Sequence, residues 1–109
     1  MKLAGKNVDT SNVNVGEEVV VTFNFEELRN HLVNCKDRKD SVSYKSYTRF
    51  IINNNLILHY VDKIEVELET EDKIRFEFSF EDNTLEDMCV AELNIKTGNS
   101  IELKIIRKS

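Results

Sequence analysis

The sequence predicts an α+β domain, an antiparallel β-meander of about five to six strands curled toward a half-barrel, with one amphipathic helix near 25–36 after the first strand. Three observations predict it. Val, Ile and Thr total 26 residues while Ala, Leu and Met total 13, and β-branched side chains suit pleated surfaces better than helices. From Val19 onward most apolar residues fall on alternate positions, the period of a half-buried strand. One stretch departs to the helical period, where Phe25, Leu28, Leu32 and Cys35 recur at spacings of three, four and three.

Taken in order, residues 1–16 are polar, carry Gly5 and Gly16, and read as a flexible arm or short edge strand ahead of a single domain over 17–109. Val19, Val21 and Phe23 make the first inward row. Asn24 followed by Glu27 has the spacing of an N-cap and its third helical residue, which starts the helix. Residues 36–46 lack periodicity and read as a charged loop. Asn53, Asn54 and Asn55 tolerate the left-handed backbone of a tight turn between two apolar runs. Leu56, Leu58, Tyr60, Ile64, Val66 and Leu68 then share one parity, broken at Asp62, as expected of one long strand with a bend there. Further inward rows are Ile74, Phe76, Phe78 and Phe80, then Cys89, Ala91, Leu93 and Ile95, then Ile101, Leu103 and Ile105.

Parity also sets registers, because a one-residue slip would turn each row to the wrong face. Leu68 opposite Ile74 implies a three-residue connection through Thr70, Glu71 and Asp72. That places Glu69 against Lys73, Glu67 against Arg75 and, unfavourably, Glu65 against Glu77. The same reasoning makes a last hairpin with Ile95 facing Ile101, Leu93 facing Leu103, Glu92 facing Lys104 and Val90 opposite Ile106. A helix of about twelve residues is about 18 Å long, too short to cover five or six strands. The remaining apolar face must curl on itself or meet another molecule.

Charge is the most informative feature for function. Residues 62–92 hold twelve acidic residues against three basic ones, a local balance of −9, while the rest of the chain, with eight acids and twelve bases, stands at +4. On alternate strand positions that acid lines one sheet face. The expected partner is therefore a basic-surfaced protein rather than nucleic acid, docked on Glu65, Glu67, Glu69, Glu71, Asp72, Glu77 and Glu81. The competing reading is a solvated face whose like charges prevent edge pairing. A second function class, a nucleic-acid or small-ligand module, would use Lys36, Arg38, Lys39, Tyr44, Lys45, Tyr47 and Arg49, cations for phosphates and rings for stacking. A third is a structural homo-oligomer, such as a homodimer closed through strand edges.

Chemistry-bearing motifs are sparse. Three glycines exclude a phosphate-cradling loop, no nucleophile elbow surrounds Ser41, Ser43 or Ser46, and no carboxylate pair stands out as acid and base. The expectation is a non-enzyme without cofactors. His31 and Cys35 stand four apart and could join His59 and Cys89 around zinc, but no close Cys pair exists and the cysteines lie on inward rows, so no metal is expected. With two cysteines, no apolar leader and no membrane-length run, the expected compartment is the cytoplasm. In general character such a short acidic domain is similar to the accessory, inhibitor or immunity proteins of phages and mobile elements, a likeness resting on no motif.

Overall fold

A computed structural model describes residues 1–44, 48–59, 61–80, 88–96 and 100–108, with side chains at all of these except 80 and 88–91. The described residues are mostly antiparallel strand with one α-helix among them. A small hairpin pairs β1 (Lys2–Leu3) with β2 (Lys6–Asn7) through Ala4 and Gly5, both at positive φ, as a tight two-residue hairpin turn needs. Then follow β3 (Glu18–Asn24), α1 (Phe25–Leu32), β4 (Lys39–Ser43), β5 (Thr48–Ile52), β6 (Leu56–His59), β7 (Val61–Thr70), β8 (Lys73–Phe80), β9 (Met88–Asn94) and β10 (Ser100–Arg107).

These strands do not form one meander. They divide into two four-stranded sheets, in the orders β3–β10–β5–β6 and β4–β7–β8–β9. The sheets face each other across a shared core, where the Phe23 ring meets Phe76 at 5.4 Å and Phe50 meets Phe78 at 5.7 Å. Each sheet covers the apolar face that the short helix cannot, which settles how the uncovered strands bury their inward rows. Phe76, Phe78, Leu93, Ile101, Leu103 and Ile105 are all buried there. β6 and β7 belong to different sheets, so 56–69 is two strands rather than one bent strand, and at Asp62 a bulge interrupts the pairing of β7 with β8.

The last hairpin is the main correction. β9 pairs with β8, while β10 inserts between β3 and β5, so Leu93 faces Ile74 and Leu103 faces Val21 and Ile52. Ile95 is exposed and Ile106 lies opposite Glu18 and Arg49, not Val90. Alternation records which way a side chain points but carries no record of which strand lies alongside. A β-bulge between Phe76 and Glu77 also sets Cys89 opposite Glu77 and Ala91 opposite Phe76 in the backbone register.

The helix starts where its cap signal lies, with the Asn24 side chain accepting the Glu27 N–H at 2.9 Å, and it buries Phe25, Leu28 and Leu32. It ends four residues short of the expected 36. The Cys35 N–H turns back to Leu32 O, and Asp37 and Arg38 adopt left-handed backbone before β4 begins. The 39–43 part of the expected loop is therefore strand. Several of the first residues are held in place: Leu3 and Val8 are buried in the core, the Ala4 N–H donates to Asp40 at 2.7 Å, and the Tyr44 hydroxyl donates to Val8 O at 2.7 Å.

Candidate functional site

The acidic strands meet on the outer face of sheet β4–β7–β8–β9. Ile64, Val66 and Leu68 point inward on β7, so Lys63, Glu65, Glu67 and Glu69 take the outer positions; on β8 the same alternation exposes Lys73, Arg75, Glu77 and Ser79. The registers place Glu65 opposite Glu77, Glu67 opposite Arg75 and Leu68 opposite Ile74, as parity requires. The connection differs: Thr70 pairs with Lys73 and a bulge at Glu69 absorbs the extra residue, leaving Glu71 and Asp72 as the turn. Glu69 still reaches Lys73 at 3.8 Å.

This face is laced with ion pairs. Lys39 on β4 lies 3.8 Å from both Glu65 and Glu67, and Lys63 lies 3.5 Å from Glu65. Arg75 reaches Glu77 at 3.3 Å and Glu69 at 3.7 Å, while Lys73 reaches Glu92 on β9 at 3.3 Å. Three cations that the sequence places well before the acidic stretch (Arg29, Arg38 and Lys39) are thus brought onto or beside it. Arg29 from α1 and Arg38 from the following turn both hold Glu71, and hydrogen bonding first from Arg38 and then from Arg29 keeps its carboxyl below the usual range. Glu71 therefore ties the helix to the β7–β8 hairpin. Asp72 is exposed in the same turn, and Glu81 lies outside the described residues.

No protein-family model, characterised protein or solved structure matches the chain.

The basic and aromatic segment is dispersed by the fold. Lys36 is exposed and Arg38 is engaged with Glu71, while Lys39 belongs to the charged face just described. Arg49 stands on the outer face of the opposite sheet. Tyr44 is a core residue, its ring 5.1 Å from Phe50 and its hydroxyl bonded, and burial pushes its ionisation well above the ordinary tyrosine range. It offers no stacking platform. Lys45 and Tyr47 lie outside the described residues.

His31 Nε2 stands 4.0 Å from Asp40, and the Cys35 thiol donates to His31 O at 3.4 Å. Burial first, and Asp40 second, push that thiol above its usual range, the opposite of an activated nucleophile. Among the described residues no group of three or more His, Cys, Asp or Glu is placed to hold a metal ion. No helix among them is long and apolar enough to cross a membrane.

Alternation missed a second surface, the outer face of sheet β3–β10–β5–β6. Val20, Ile51 and Ile57 take outward positions there, with Val20 51% and Ile57 53% exposed. The signal was present in the apolar triplets Val19, Val20, Val21; Phe50, Ile51, Ile52; and Leu56, Ile57, Leu58, whose middle residues break the alternation.

Proposed function

We propose that this chain is a non-catalytic protein-interaction domain that docks a basic partner on the outer face of sheet β4–β7–β8–β9. The observation that carries the reading is the direct opposition of Glu65 and Glu77, each with only 24% of its side chain exposed. Like charges at cross-strand spacing oppose folding, and cations from a partner relieve them. The intramolecular pairs around them run at 3.3–3.8 Å through surface side chains. Such pairs contribute about 0–1 kcal/mol each, so exchanging Lys39, Lys63 or Arg75 for a partner's Lys or Arg costs little. Because Glu71 is committed to Arg29 and Arg38, the contact centres on Glu65, Glu67, Glu69 and Glu77, with Glu92 at its rim. A small acidic inhibitor or accessory protein working in the cytoplasm, of the type found in phages and mobile elements, fits this reading.

The test is affinity capture from the native host at low and high salt, comparing the wild type with the triple variant Glu65→Lys, Glu67→Lys, Glu77→Lys. Denaturant unfolding checks that the variant keeps its fold. The expected result is a partner held by the wild type at low salt, weakened in high salt, and lost with the variant. Equal capture by the variant overturns the assignment.

A further inference from the structure

We propose that the outer face of sheet β3–β10–β5–β6 is a contact surface between two copies of this chain, related by a two-fold axis running along the strands between β10 and β5. The registers place two rows of outward residues there. Val20, Lys104, Ile51 and Ile57 form one row across the four strands, and Glu18, Ile106, Arg49 and His59 form the next. Each of these strands carries consecutive apolar residues, the pattern of strands covered on both faces. The facing sheet covers their inner side. On the outer side Ile106 is only 6% exposed, but Val20 and Ile57 at the two ends of their row stand open.

The identity of the covering molecule follows from charge. The second row is acidic at β3, through Glu18, and basic at β5, through Arg49, with His59 beside it on β6. A two-fold axis along the strands exchanges β3 with β6 and β10 with β5 of the second copy. It lays Val20 on Ile57, Ile51 on the aliphatic stem of Lys104, and Glu18 on the Arg49–His59 end, each contact occurring twice. An axis across the strands through this row would instead set Lys104 on Lys104 of the second copy, and one between the rows would set the exposed Val20 and Ile57 on Glu18 and His59. Twisted sheets pack face to face at about −30°, which inclines the favoured axis by about 15° to the strands and preserves these central contacts. Arg49 supplies a further observation: its Nε is buried without a hydrogen-bond partner, and the pairing brings a carboxylate to its row.

The patch is four strands wide at about 4.8 Å spacing and about five residues long, below the roughly 1,200 Å² total of stable interfaces. Association is therefore weak and concentration-dependent, and it leaves the charged face on the other sheet open. Sedimentation of the full chain over a roughly hundredfold range of concentration should show the mass rising from monomer toward dimer. Glu18→Lys and His59→Glu should each weaken association by about tenfold or more by opposing like charges across the axis. Within one chain these residues lie on opposite edge strands, about 14 Å apart, and do not meet. An equimolar mixture of the two variants should therefore recover a heterodimer that neither forms alone. Ile57→Thr, which keeps a β-branched residue on the strand, should reduce association several-fold. A wild type that stays monomeric throughout, single variants that dimerise normally, or a mixture no better than its components would each overturn the proposal.

Discussion

On sheet β4–β7–β8–β9 the outward side chains described are Lys, Arg, Glu, Ser and Asn, and nearly every cation lies within 4 Å of a carboxylate; on sheet β3–β10–β5–β6 the equivalent positions include Val20, Ile51, Ile57 and Ile106. Both sheets bury their inner faces by the same alternation, so strand pattern does not separate them. What separates them is the residue between the buried ones. Docking on the first face, as proposed, would work through charges that water and salt screen and that exchange partners cheaply. The contact proposed on the second would gain from apolar area removed from water, a contribution that salt does not weaken.

One core joins the two sheets, and the largest predicted effect tests this. Phe78 is fully buried on β8 with its ring against Phe50 of the opposite sheet. Phe78→Ala should destabilise by about 3–5 kcal/mol in denaturant unfolding, and a loss below about 1 kcal/mol would break the two-sheet assignment. Next in size is Tyr44→Phe, which removes a buried hydroxyl donor to Val8 O and should cost about 1 kcal/mol. It should also release the first residues, read as faster amide exchange at β1 and β2; unchanged exchange would show that Leu3 and Val8 hold them without it.

Smaller effects sharpen the difference between the faces. Lys39→Gln removes the cation shared by Glu65 and Glu67 and should cost up to about 1 kcal/mol at low salt, with the loss fading in high salt. A salt-independent loss would mean that Lys39 acts through packing of its stem. The smallest effect concerns pH. The Glu71 carboxyl sits below its ordinary value of 4.5 in the folded chain, so its contribution is present above that value and lost as pH falls through the lower folded one. The stability difference between wild type and Glu71→Gln should therefore shrink on acidification below about pH 4.5, and a difference flat with pH would show the two arginines acting without the charge.

Much of the local structure was legible in the chain itself. The inward rows through Phe76, Phe78 and Leu103, the cap at Asn24, the left-handed turn at Asn53 and Asn54, and the Glu65–Glu77 opposition all depend on residues near each other in sequence or on one hairpin. The placing of β10 between β3 and β5 was not legible, because period-two alternation repeats identically in any strand and selects a face without selecting a neighbour. The helix end was missed for a related reason: Cys35 keeps the helical spacing, but the chain must turn after Leu32 to deliver β4 to the edge of its sheet.

The same division holds for the candidate surfaces. Sequence alone determined that residues 62–92 are acid-rich and that Glu65, Glu67, Glu69 and Glu77 share a face, since both follow from composition and alternation. Only the tertiary structure decided how much of that charge is compensated. Coulomb interaction depends on distance in space, and folding carries Arg29, Arg38 and Lys39 to within 4 Å of carboxylates some 26 to 42 positions away along the chain. It likewise decided that Val20, Ile51 and Ile57, dispersed over three strands, form one row, because four strands must first align in register before their outward residues can share a surface.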